Sequence, residues 1–334
     1  MVNPKYNFTS VFLTKDYYPM LEGCTYKYSK ADFNNINVIN VDIKSTKENL
    51  LEGNSICDKL NIQMVPNDAF AMQEGLKIAD KYLTEKNINS DWLLCFQHDV
   101  IPLTETFWDD LQDLIDTIDN DKVGMIGGNC IMNYKNALYA LDKADKDIYH
   151  TSKLGKPRTG RGMLCKDILN DPYYGWYMNL PDEYYKSKYF AVESPYWTFF
   201  AINRKLFNKY INVDTNFVFE LWPDDLAYQF LLNGIVNIAS PKLLVCHDHA
   251  LKGGIKINSG KLVEPRHDFN SSHMRFWKKW GFRWGIRNPE VRSQFEVYNE
   301  HFYPKTALQH NFFRDISISN GPLDIDLKSK APSL

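Results

Sequence analysis

Three short polar groups each border an apolar run in this chain, and their residue types suit work on a phosphorylated or hydroxyl-bearing substrate. Gln97-His98-Asp99 closes WLLCF, Asp224-Asp225 follows Trp222-Pro223, and His247-Asp248-His249 closes LLVC. Asp99 offers a carboxylate, and His247 or His249 an imidazole, to one divalent cation. Magnesium and manganese favour carboxylate and water, and manganese also accepts imidazole. Such an ion would hold a diphosphate by neutralising its oxygens. Asp224 or Asp225 could take a proton from a hydroxyl as general base. Plainer roles stand beside these: an Asp at a strand end shapes turns, and acids at a helix start complement its dipole.

The flanking segments say how such groups would be positioned. FTSVFLT (8–14), INVINVDI (36–43), IQMV (62–65), WLLCF (92–96) and KVGMIG (122–127) read as strands. Lys44-Ser45-Thr46 is a helix-start signal. Residues 69–86 carry Phe70, Leu76, Ile78, Ala79 and Leu83 near helical spacing, and 104–118 reads as a helix with Thr104 at its cap. Strands alternating with helices imply a mostly parallel central sheet flanked by helices, an α/β fold. Ligands of such sheets sit at the carboxyl ends of the strands, where Gln97-His98-Asp99 falls. Farther on, 195–206 turns from strand to helix, 225–233 is helical, 235–239 and 243–246 are strands, and 273–280 is a short aromatic and basic helix.

Composition narrows the function classes. The 334 residues are 44% hydrophobic, enough for a sizeable core, and 39 basic against 41 acidic residues exclude a global basic field for nucleic acid. Six scattered cysteines without a Cys-x-x-Cys pair argue against a zinc knuckle and fit a reducing compartment. The N-terminus has no basic stretch leading into an apolar one, and no apolar run approaches the ~20 residues of a membrane span, so a cytoplasmic protein is expected.

Between 141 and 190 the chain turns polar, with Arg158 and Arg161 among Gly155, Gly160 and Gly162. These arginines could clamp phosphates or line an acceptor mouth; a solvated loop is the competing reading. Trp197 and Trp222 could stack on a sugar ring or pack in the core. Phe276-Trp277-Lys278-Lys279-Trp280 could touch an anionic membrane surface peripherally.

Taken in order, these motifs resemble nucleotide-sugar glycosyltransferases of the GT-A fold, close to glycosyltransferase family 2. The resemblance rests on FLTKDYY ending the first strand, Val41-Asp42-Ile43-Lys44-Ser45 ending the second, NDAFAMQEG (67–75), QHDVIP, VGMIGG, FFAINRKLF (199–207), Asp224-Asp225-Leu226 with Gly234, VCHDH and Lys279-Trp280-Gly281. It spans residues 8–285.

The resemblance implies a GT-A, Rossmann-like catalytic domain over 1–250. Its nucleotide-sugar half would be 1–130, its acceptor half 131–250, and a C-terminal helical or irregular extension (251–334) would pack on it rather than on a membrane. Thr14, Asp42, Gln97 and His98 would line the donor, with Asp42 on the nucleoside and His98 at the ribose or diphosphate. Asp99 would hold Mn2+ or Mg2+, with His247 completing the site and His249 as the alternate. Asp224, with Asp225 close behind, would be the base of an inverting transfer from a UDP-sugar or similar donor to a hydroxyl acceptor, such as a glycan. Gln97 stands where the family has the first acid of D-x-D, which removes one negative charge. A catalytically silent nucleotide-sugar-binding protein is therefore one alternative. A transferase that glycosylates a nucleic-acid base is another.

Overall fold

The computed structural model describes residues 6–131, 134, 160–161, 188–192, 194–217, 221–248, 251, 272, 275, 276 and 279. Strand β1 (Phe8–Thr14) is buried along its whole length, as a parallel strand covered on both faces must be. It pairs in parallel with β2 (Asn37–Asp42) on one side and β4 (Trp92–Phe96) on the other, and β2 continues to β3 (Gln63–Val65).

Two helices return the chain across this half. The first, α2 (Lys47–Lys59), begins where Thr46 Oγ1 accepts from Asn49 N, so the signal at 44–46 is its N-cap. The second, α3 (Met72–Glu85), buries Met72, Leu76, Ala79 and Leu83, one stripe of a 3.6-residue repeat. Ahead of them, Tyr18–Met20 forms a single α-helical turn, α1, that widens into π-helical turns over Leu21–Tyr26. The sequence carries no period that marks this passage.

Beyond β4 the sheet changes direction. The full order is β3-β2-β1-β4-β10-β6-β11-β5, with β8 (Phe190–Val192) on β11. β10 (Phe199–Asn203) runs antiparallel to both β4 and β6 (Val123–Ile131). β11 (Val236–Cys246) lies parallel to β6 with a register break between Ala239 and Leu244. The two short strands expected at 235–239 and 243–246 are thus one bent strand. The two-residue β5 (Ile101–Pro102) closes the edge against the end of β11. A separate pair joins β7 (Gly160–Arg161) to β9 (Ser194–Pro195).

Helices α4 (Phe107–Thr117), α5 (Arg204–Tyr210) and α6 (Trp222–Leu232) complete the layers. α6 lies directly on β6: a Cβ added to Gly124 would stand 2.6 Å from the ring of the fully buried Phe230. A side chain there would push the helix off the sheet. Arg204 ties the layers together. Its guanidinium donates to Asp80 Oδ1 (2.6 Å), Asp80 O (3.2 Å), Thr84 Oγ1 (2.8 Å) and Ser90 O (2.8 Å), joining α5, α3 and the entry to β4. Cys24, Cys57, Cys95, Cys130 and Cys246 are buried, and burial pushes the Cys57 thiol up to about 12.

Candidate functional site

The strand order places a crevice between β1 and β4, where parallel crossovers leave in opposite directions. Thr14, Asp42 and Gln97-His98-Asp99 end or follow β1, β2 and β4 at its rim.

The β2 end is tightly organised. Asp42 accepts from Tyr18 Oη (2.8 Å), from Ser45 N (3.0 Å) and from Ser45 Oγ. Burial, then the neighbouring Asp42 carboxylate, pushes the Tyr18 hydroxyl pKa up, so it stays a donor. Thr14 is buried and donates Oγ1–H to Asn40 Oδ1 (2.7 Å), while Asn40 Nδ2 donates to Tyr18 Oη (3.3 Å). The Thr14 hydroxyl is therefore directed into the protein, and Asp42 is aimed by Tyr18 and Ser45. Lys44, at φ 54°, supplies the left-handed turn between them.

At the end of β4, Gln97 N donates to Thr198 O (3.1 Å) and Val100 N to Gln97 O (3.1 Å), closing a turn. Thr25 Oγ1 donates to His98 O (2.9 Å) from the π-helical segment. The His98 ring stacks on Tyr17, with centroids 5.1 Å apart and planes 17° off parallel. Burial first, then the charges of Asp16 and Asp99, raise the Tyr17 hydroxyl pKa. Tyr17 has no place in the expected site. Its position three residues past Thr14 was the available signal.

His247 reaches the same turn for a reason set by register. β5 and β11 run antiparallel with Cys246 opposite Ile101, so the residue after Cys246 meets the residues before Ile101. His247 Nε2 lies 3.2 Å from Asp99 Oδ2, and both side chains are almost fully buried. His247 N donates to Ile131 O (3.0 Å), and Asp248 accepts from Tyr134 N (2.9 Å), so the next residue serves the backbone. Among the described residues no cluster of three or more His, Cys, Asp or Glu side chains is placed to hold a metal ion. Asp99 and His247 form a pair. Their donor atoms are spaced like adjacent ligands of an octahedral ion, whose ~2.1 Å bonds put neighbours about 3 Å apart. An oxygen and an imidazole nitrogen suit manganese.

Asp224 and Asp225 sit in the first turn of α6, 4% and 0% exposed. The helix opens from Leu221, whose φ of 61° is the left-handed region, uncommon for leucine. Trp222 packs on Phe200 of β10 at 5.3 Å, and Trp197, just before that strand, meets His247 edge-on at 6.3 Å. Aromatic contacts therefore link the start of α6 and the Asp99–His247 pair to one end of β10. The two acids differ. Asp225 accepts from Gln73 Nε2 (3.0 Å), Gln229 Nε2 (2.9 Å) and Lys279 Nζ (2.9 Å). Arg161 lies in β7, and its side chain falls outside the described residues, as do Arg158 and His249.

No family model matches the sequence, and no curated protein matches it. Solved structures do. A crystal structure of GalNAc-T7 with UDP, GalNAc and Mn2+ superposes with a TM-score of 0.52 at 11% identity, covering 94% of this chain and 58% of that one. The chain thus spans little more than half of that protein's length. The mannosyltransferase PcManGT from Pyrobaculum calidifontis, in complex with GDP-Man and Mn2+, matches at a TM-score of 0.45 and 13% identity over 92% of this chain and 74% of that one. At these identities the likeness is one of fold, and the fold is GT-A. Among the described residues no helix is long and apolar enough to cross a membrane.

Proposed function

We propose that the chain is a metal-assisted glycosyltransferase that moves a sugar from a nucleoside-diphosphate donor to a hydroxyl acceptor. The observation that carries this reading is the pairing of Asp99 with His247 at the carboxyl ends of a GT-A sheet. The crystal structure of GalNAc-T7 holds UDP, GalNAc and Mn2+. Mn2+ fits the pair here better than Mg2+, because one donor is imidazole. When bound, the ion neutralises charge on the departing diphosphate.

The protein's own residues supply the rest. Asp42, aimed by Tyr18 and Ser45, binds the nucleoside. His98, stacked on Tyr17, faces the ribose or diphosphate, and the Gln97 amide bonds a ribose hydroxyl where the family has an acid. Asp224 takes the acceptor proton as that oxygen attacks the anomeric carbon, and one displacement inverts the centre. Asp225 is engaged by an ammonium and two amides, so its role is to hold the helix start. The donor is a UDP-sugar, the acceptor a glycan, and the family glycosyltransferase family 2.

Release of nucleoside diphosphate from UDP-glucose, UDP-N-acetylgalactosamine and GDP-mannose, with and without manganese, tests this. Slow manganese-dependent release supports the transferase. Tight UDP binding with no release from any donor would replace it with the silent binding protein that Gln97 suggests. Steeply salt-dependent DNA binding would point to base glycosylation.

A further inference from the structure

Lys279 is 54 residues downstream of Asp225, yet its Nζ stands 2.8 Å from Asp225 Oδ1 and 2.9 Å from Oδ2. Around that contact several elements are knotted together. Gln73 of α3 donates to Asp225 Oδ2 and to Trp222 O (3.1 Å), and accepts from Asp214 N (2.7 Å). Asp214, buried before α6, receives Arg275 Nε (2.9 Å) and Nη2 (2.7 Å) on Oδ2, with Lys279 Nζ 3.4 Å away. Between the two cations Phe276 is fully buried, edge-on to Phe217 (6.5 Å) and Tyr228 (5.6 Å). Lys279 Nζ passes 5.7 Å over the Phe217 ring.

This cluster touches α6 at its first turn. Asp225 N donates to Leu221 O (2.9 Å), so the residue in left-handed conformation is bonded to the residue that Lys279 holds. A strained backbone persists where its surroundings over-determine it. Taking the ammonium away from a buried carboxylate favours its rehydration or protonation, and either change shifts the turn that carries it.

We propose that Lys279 is a positioning residue for the transfer reaction: by pinning Asp225 it sets the first turn of α6 and hence the angle at which Asp224 meets the acceptor hydroxyl. Lys279 thereby contributes to the acceptor side of the site without touching substrate. The inference rests on Asp224 being the base.

The test uses the full chain with Lys279→Met, which keeps the stem on Phe217 and removes the charge, and Lys279→Arg, which restores it. Expected for Lys279→Met is a fall in kcat of about 10–100-fold, with UDP–manganese affinity within about twofold of the parent and faster amide exchange confined to 221–231. Lys279→Arg should recover both. Unchanged kcat and unchanged exchange at 221–231 would overturn the proposal. So would a parallel loss of UDP affinity and of protection across the sheet, the signature of a fold anchor alone. If Lys279→Met does not fold, Asp225→Asn/Lys279→Met removes both charges of the pair, and faster exchange at α6 is still expected. A parent chain that releases no nucleotide from any donor sinks Asp224 as base and the positioning role with it. The exchange data then report only the mechanical link, so the two failures are distinguishable.

Discussion

Asp99 and His247 are 148 residues apart in the chain, and their side chains meet with Oδ2 and Nε2 3.2 Å apart inside the protein. The pairing of Cys246 with Ile101 brings them together, so the two-residue strand β5 is as much a part of the site as the side chains.

Replacing either member should therefore remove the metal dependence of donor binding. Asp99→Asn and His247→Ala are each expected to weaken UDP binding in manganese by at least about tenfold. Calorimetry in manganese and in EDTA checks this. If the parent binds UDP equally well in EDTA, the pair has a structural role only.

Asp224→Asn should leave UDP affinity intact and cut turnover by about 10²–10⁴-fold, the usual worth of a positioned base. Asp225→Asn should behave differently, because its carboxylate meets Lys279 in a buried pair: its thermal midpoint should fall. Steady-state rates and melting curves on the two variants separate the roles. Full turnover in Asp224→Asn would move the base elsewhere.

Arg204→Ala is a stability prediction away from the chemistry. It leaves Asp80 without its guanidinium, along with the carbonyl of Ser90, both nearly buried. A loss of about 3 kcal/mol is expected, read from urea unfolding, with UDP affinity unchanged at low temperature. A loss below 1 kcal/mol, on the scale of an exposed pair, would show the contact to be solvated.

Asp214 sets an acid limit. Burial disfavours its charge, but hydrogen bonds from Arg275 and Asn216 and the nearby Lys279 together outweigh that and hold its pKa below the ordinary carboxylate value. A pKa depressed in the folded state means that the unfolded chain binds the proton more tightly. The stabilisation is complete above the unfolded carboxylate value of about 3.9 and is lost as pH falls through the lower folded one. Asp214→Asn should therefore be less stable than the parent at neutral pH, and the gap should narrow on acidification. Melting curves from pH 7 to 3 check it; a gap that widens toward low pH would reverse the sign.

Much of the fold up to β4 is legible in the chain because its signals are local. β1 and β4 coincide with apolar runs, and β2 and α3 fall within one or a few residues of theirs, since parallel strands buried on both faces and one-sided helices write their periods into the sequence. Thr46 as a cap and Asp42 beside Ser45 are contacts within three residues. What the chain hides is short or distant. β5 has two residues and no period. The turns at 18–26 make contacts that no spacing rule encodes. The order of β10, β6 and β11 depends on packing partners far along the chain.

The sequence by itself determined which groups were available: carboxylates and imidazoles at the ends of apolar runs, in an order resembling a known fold. Tertiary structure alone decided which of them meet. It put His247 against Asp99 through an antiparallel register, and it set the ammonium of Lys279 against Asp225. Adjacent acids are equivalent as letters. Folding sets the partners each one meets, and that is a property of distances in space that no local pattern carries.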